Sequence, residues 1–155
     1  METAMIKTPL GFLAVSAVET GVVSIDFAPE PSAELVPAHP LLESACHQLS
    51  RYFDDPAAGF TLPLSLPASG YRRRVWAALL QIPPGRTETY GALAARIASG
   101  PRAVAGACRA NPLPIIIPCH RIVSAHGLGG YCGRDSGPAM DIKRWLLRHE
   151  GSLSG

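Results

Sequence analysis

The chain has 155 residues, 47% of them apolar and 17% charged, with a net charge of +2. That composition is globular and excludes a disordered chain, and no apolar run approaches the ~20 residues that span a membrane. The small net charge hides an asymmetry: residues 1–70 carry two cations against eight acids (net −6), while residues 71–155 carry twelve cations against four acids (net +8). Two modules are expected, the second suited to a polyanion, although an unevenly decorated solvated surface gives the same count.

The first third reads as strands at 4–8, 11–17 and 22–27, with Pro9–Gly11 and Glu19–Gly21 as turns. A proline-rich connection runs from Pro29 to Pro40. Leu41, Leu42, Ala45, Cys46, Leu49, Tyr52 and Phe53 then form one helical stripe, ended by Asp54-Asp55-Pro56. Cys46 belongs to that buried stripe and His47 to the surface. Residues 60–66 suit a last strand, which Pro63 restricts to an edge.

The second half changes character. Ser69 caps a helix through Val75, Trp76, Leu79 and Leu80, which Pro83-Pro84-Gly85 stops. Thr89 caps a short helix to about Ile97, Ser99-Gly100-Pro101 breaks it, and another helix runs from Arg102 to about Ala110. Two short helices around a glycine-containing turn make a helix-turn-helix. Ile115 to Ile117 reads as a short buried extended segment. A glycine-rich loop spans Gly127 to Gly137, and a last helix begins near Ala139, with Gly151 suited to its C-terminal cap.

Chemistry concentrates at Cys119. Pro118 fixes its own φ and biases Ile117 toward extended backbone, so the cysteine leaves a buried segment on a rigid path. His120 follows directly, and a neighbouring imidazole or cation favours the reactive thiolate. Asn111 lies just upstream, where its amide can brace the loop. The four cysteines, Cys46, Cys108, Cys119 and Cys132, show neither C-x-x-C pairing nor zinc-ligand spacing. Glu2 and Lys7 interrupt the apolar start, so no signal peptide is expected, and free thiols fit a reducing cytoplasm.

The run Asn111-Pro112-Leu113-Pro114-Ile115-Ile116-Ile117-Pro118-Cys119-His120-Arg121-Ile122-Val123 closely resembles the active-site segment of the O6-alkylguanine-DNA alkyltransferases. The likeness extends through Val75-Trp76, Ile82-Pro83, Thr89-Tyr90-Gly91 and Arg102-Ala103-Val104, and on to Gly130-Tyr131 and Lys143 to Gly151. It is good from about Tyr71 and loose over residues 1–66.

The resemblance implies a two-part α/β protein. A small ribonuclease-H-like sheet-plus-helix domain (1–66) precedes a mostly helical domain with the helix-turn-helix (67–155). It implies stoichiometric, irreversible transfer of an alkyl group from O6-alkylguanine, and as a further substrate O4-alkylthymine, in duplex DNA to Cys119. His120 then acts as base through a water, Glu150 orients the imidazole, Tyr90 donates a proton to the leaving base, and Asn111 completes the catalytic set. The damaged nucleotide is flipped through the minor groove, Arg102 fills the vacated stack, and Ala103, Gly106, Arg109, Tyr90 and Arg121 contact DNA. The small residues Ala103, Ala105, Gly106 and Ala107 suit close groove approach, or else packing of one helix on another. Tyr131, Cys132 and Ile122 line the base pocket, and Cys108 faces pocket or core, the core being expected. Arg72, Arg73 and Arg74 contact phosphate or form a solvated helix face. No cofactor is implied, no membrane, and a monomer acting on damaged double-stranded DNA.

Departures from the family pattern are Pro84 and Arg86 in the turn after the first helix, a short turn at Ser99–Pro101, and a lengthened loop at Gly133–Pro138, which puts pocket width in question. Some relatives bind zinc in the N-terminal half. Here only His39, Cys46 and His47 offer ligands, too few for four-coordination, so no metal is expected. An alkyltransferase-like lesion binder would lack Cys119. A regulator using the helix-turn-helix alone would need an effector module, and a cysteine hydrolase would leave the DNA-reading features without purpose.

Overall fold

A computed structural model describes residues 1–27, 34–66 and 70–153. The chain forms two compact units, Met1–Pro67 and Ala68–Gly155. Ser69, the expected helix cap, and residues 29–33 of the expected Pro29–Pro40 connection lie outside the described residues.

In the first unit, β1 (Glu2–Thr8), β2 (Gly11–Val18) and β3 (Gly21–Phe27) form an antiparallel meander. Thr8 closes the first turn: its hydroxyl donates to the Gly11 carbonyl (2.8 Å) and accepts from Leu10 N (3.0 Å). Ala4, Leu13, Val15, Ala17, Val22 and Ile25 are buried against α1 (Pro40–Asp54), which packs on all three strands through Leu42, Ala45, Cys46, Leu49 and Tyr52. The cap of α1 is His39, whose Nδ1 accepts from Leu41 N at 3.2 Å. The expected last strand shrinks to one rung. Leu64 bridges Val22 in parallel, with Val22 N on Pro63 O and Ser65 N on Val22 O, both 2.9 Å. Pro63 has no N–H to continue a ladder. The approach is so close that a Cβ on Gly21 would sit 2.7 Å from Pro63 O.

In the second unit, α2 (Gly70–Leu80) buries Val75, Trp76, Ala78 and Leu79, and the Trp76 indole N–H donates to Ala107 O (3.0 Å). Thr89 caps α3 (Tyr90–Arg96) by accepting from Ala92 N at 3.0 Å. A four-residue turn leads to α4 (Pro101–Arg109), which packs on α3 and α2. Two-residue strands that periodicity cannot reveal, β4 (Glu88–Thr89) and β5 (Ile122–Val123), pair in parallel and bring the start of α3 beside the segment after Cys119. Arg96 fastens this arrangement: its guanidinium binds both Glu88 carboxylate oxygens at 2.8–3.2 Å, Gln81 Oε1 at 2.8 Å and Ala78 O at 3.2 Å.

The segment at Ile115–Ile117 is buried as expected but turned, not extended. Ile117 N returns to Leu113 O (2.8 Å), and Ile115 takes a left-handed φ of 77°. Asn111 imposes the turn by accepting from Leu113 N and donating to Ile117 O, each at 2.9 Å. The last helix, α5 (Pro138–His149), ends in a Schellman motif. Gly151 sits at φ 81°, with Gly151 N on Arg148 O (3.0 Å) and Ser152 N on Leu147 O (2.8 Å). This geometry places Glu150, the C-cap residue, in the interior.

Candidate active site

Cys119 opens a single 3-10 turn, Cys119–Arg121, and is only 5% exposed. It lies in the wall of a cavity of about 540 Å³ that Tyr90, Cys108, Arg109, Tyr131 and Cys132 also line. Burial pushes its thiol up to about 12, against the opposing pull of an Asn111 hydrogen bond to the sulfur and the nearby Lys143 ammonium. The resting side chain is therefore a thiol, and nucleophilic attack requires a base.

A base adjoins it in sequence. His120 is fully buried, and its Nε2 lies 2.8 Å from Glu150 Oε2. An ionised carboxylate only accepts, so Nε2 carries the proton and Nδ1 keeps its lone pair. Nδ1 has no hydrogen-bond partner among the described residues. Burial pulls the imidazole pKa below its ordinary value, outweighing Glu150, so the ring is neutral at pH 7 and able to accept a proton.

Arg121 is not on a DNA-facing surface. It is 7% exposed and grips Glu150 with two bonds, Nε to Oε1 (2.8 Å) and Nη2 to Oε2 (2.9 Å), while Nη1 donates to Ile82 O (2.6 Å). A planar fork on a buried carboxylate is the geometry arginine favours. The expected DNA contact is thus an internal clamp. Ile122 is likewise moved: it is fully buried, pairs with Glu88, and does not line the cavity. Cys108, expected in the core, is half-buried and lines the cavity, where burial raises its thiol to about 11.

Tyr90, Tyr131 and Cys132 are at the cavity as anticipated. The Tyr90 hydroxyl accepts from Gly130 N–H, and burial raises its pKa, so it holds its proton at pH 7. Gly129 makes room for that ring: at φ 71°, any Cβ there would lie 3.0 Å from Tyr90 Cε2. Cys132 and Gly133 occupy a tight turn closed by Tyr131 N to Arg134 O (2.7 Å) and Arg134 N to Tyr131 O (2.9 Å). Both central residues have positive φ, 52° and 76°.

On α4, Val104 and Ala107 face inward, whereas Arg102, Ala103, Gly106 and Arg109 are exposed. A Cβ on Gly106 would meet nothing within 4 Å, so Gly106 is not there to admit a packed neighbour within its own unit. Arg109 crosses Gly133, where a Cβ would come within 3.2 Å of its Cγ. Arg72 to Arg74 are exposed, Arg74 lying over the Tyr71 ring and bonded to Ile97 O. In the first unit, His39 is committed to the α1 cap and Cys46 to the core.

Lys143 is the functional residue that sequence reasoning passed over. Its side chain is wholly buried and its ammonium donates to Ile122 O (2.6 Å), Leu128 O (2.5 Å) and Gly130 O (2.8 Å), pinning the loop that forms the cavity wall. Burial lowers its pKa to about 8, opposed by the neighbouring thiols Cys119 and Cys108. Its signal was a lysine on the apolar stripe of α5, between Met140 and Leu146-Leu147.

Comparison with known proteins follows the same division. Residues 70–152 match the DNA binding domain of 6-O-methylguanine DNA methyltransferase, and residues 1–66 match its ribonuclease-like domain. A methylated-DNA–protein-cysteine methyltransferase of Methanosarcina acetivorans is 34% identical over 160 residues, covering 98% of this chain and 99% of its own. One from Sulfolobus acidocaldarius is 33% identical, covering 94% and 90%. A crystal structure of Mycobacterium tuberculosis OGT in complex with DNA superposes with a TM-score of 0.82 at 33% identity, covering 98% of this chain and 94% of the other. The chain belongs to the 6-O-methylguanine DNA methyltransferase family.

Proposed function

We propose that this protein repairs DNA directly, moving the alkyl group of O6-alkylguanine in a duplex onto Cys119 Sγ and retaining it. The observation that carries this reading is the Cys119–His120–Glu150 succession at a cavity whose rim includes α4 residues. His120 Nδ1 takes the thiol proton through a bridging water. Glu150, held by Arg121, stabilises the resulting imidazolium. The thiolate attacks the alkyl carbon as the carbon–O6 bond breaks, and the departing guanine anion receives a proton from the Tyr90 hydroxyl. Asn111 favours the thiolate through its hydrogen bond to sulfur. The thioether has no leaving group that water displaces, so the protein acts once.

A duplex hides O6 within the stack, so the nucleotide leaves the helix for the pocket. Arg102 fills the gap, the exposed small face at Ala103 and Gly106 lies in the minor groove, and Arg109 contacts the backbone. Tyr131 and Cys132 wall the pocket. O4-alkylthymine is a second substrate of the same chemistry. The protein works as a cytoplasmic monomer without a cofactor; no helix among the described residues is long and apolar enough to cross a membrane.

The test is intact-mass analysis after incubation with duplex DNA bearing O6-methylguanine. A gain of one methyl mapped to Cys119, absent in Cys119→Ala, is expected. Lesion-selective binding without any mass gain would leave a binding protein instead.

A further inference from the structure

Three of the four cysteines line one cavity, and the alkyl-transfer chemistry uses only Cys119. Cys108 and Cys132 are near enough that a charge on either makes ionisation of Cys119 harder. The two neighbours differ in freedom and access. Cys108 is held on α4, whose inner face is packed through Val104 and Ala107 and tied to Trp76. Cys132 is exposed, the thiol of the three that a solvent-borne reagent meets first. It stands in the tight turn Tyr131–Arg134, where burial raises its thiol pKa and the Tyr131 side chain opposes that rise. From that turn, residues 133–137 lead to α5 with two glycines, Gly133 and Gly137, at positive φ.

The geometry points to Cys132 as an oxidation site that closes a reversible disulfide onto Cys119 across the cavity, with a hydroperoxide as oxidant. In the first step the Cys132 thiolate attacks the peroxide oxygen. A sulfur–oxygen bond forms, the oxygen–oxygen bond breaks, and the departing hydroxide or alkoxide takes up the proton the Cys132 thiol gave, leaving as water or an alcohol, with sulfur losing two electrons. In the second step the Cys119 sulfur attacks the sulfenic sulfur. The sulfur–sulfur bond forms, the sulfur–oxygen bond breaks, and the departing hydroxide takes the Cys119 proton to become water. The sum is two thiols and one hydroperoxide to one disulfide, water and an alcohol (or a second water). An external thiol reverses it by exchange. The disulfide occupies the acceptor sulfur while keeping it from the irreversible sulfinic and sulfonic states.

Treat the full chain with hydrogen peroxide under native conditions, then map peptides without reduction and assay alkyl acceptance before and after dithiothreitol. The wild type should lose the mass of two hydrogens, show a Cys119–Cys132 peptide, lose acceptance, and recover it on reduction. Cys108→Ser should give the same linked peptide. In Cys132→Ser the species lighter by two hydrogens should be missing, and peroxide should oxidise Cys119 to forms that dithiothreitol does not restore. A bond from Cys119 to Cys108, a bond that persists in Cys132→Ser, or sulfinic Cys132 with Cys119 untouched would overturn the proposal. The mass readout stands whether or not Cys119 accepts alkyl groups, so failure here is separable from failure of the repair reading.

Discussion

A thiol whose pKa is pushed up to about 12 is almost wholly protonated at neutral pH, so the reactivity of Cys119 is conditional on His120. Below its pKa the thiolate fraction grows about tenfold per pH unit, and reaction with a small neutral electrophile follows that fraction. Labelling of Cys119 by iodoacetamide should therefore keep rising between pH 8 and pH 10, read by peptide mapping; a plateau near pH 7 would show a standing thiolate. His120→Ala should slow methyl transfer by roughly 10²–10⁴. Arg121 offers a separate test, because its side chain and that of Glu150 are 8% and 0% exposed. Arg121→Met breaks a buried pair and should cost about 3–5 kcal/mol in urea unfolding, with the salt dependence of DNA binding unchanged. A reduced salt slope with normal stability would return Arg121 to the DNA surface. The Pro-Cys-His-Arg run points to Cys119 as the sulfur proposed to react, but not to the inward turn of its fourth residue. That depends on Glu150, 29 residues away, which only the α5 cap brings inside.

At the scale of elements, α4 carries the sharpest expectation. Gly106 has open space where a side chain would go, and glycine in a helix costs about 1 kcal/mol relative to better formers. Gly106→Leu should leave the melting temperature equal or higher, while DNA affinity falls at least tenfold in a titration. Unchanged affinity would mean that this face does not meet the groove. The first unit has an opposite case. A Cβ on Gly21 would overlap the backbone of 63–65, so Gly21→Ala should destabilise the protein by about 1–3 kcal/mol, measured by denaturant unfolding. Stability within error of the wild type would show that the 63–65 strap yields freely. The long elements were legible because their apolar stripes repeat: α1 and the three-strand meander lie within a residue or two of expectation. The β4–β5 pairing was not, since two residues per strand carry no period. The turn at Ile115–Ile117 runs against local propensity: three isoleucines favour extended backbone, and the Asn111 side chain overrides that preference.

Over the whole molecule, the charge asymmetry acquires a meaning. The basic half coincides with the unit that carries the cavity and α4, the distribution expected when one unit meets phosphates. The loop after Tyr131, where the sequence is expected to depart from the family pattern, supplies Gly133, Arg134, Asp135 and Ser136 to the cavity. Its effect on pocket shape was not readable, because a tight turn with cysteine at φ 52° follows from no propensity rule. A single-use acceptor at Cys119 fixes the stoichiometry of repair. Mix the protein with a tenfold excess of O6-methylguanine duplex and count repaired lesions to completion. Repair should stop at one lesion per chain, with every chain one methyl heavier at Cys119. Repair continuing past one lesion per chain, or repair with Cys119 unmodified, would rule out single-use transfer to Cys119.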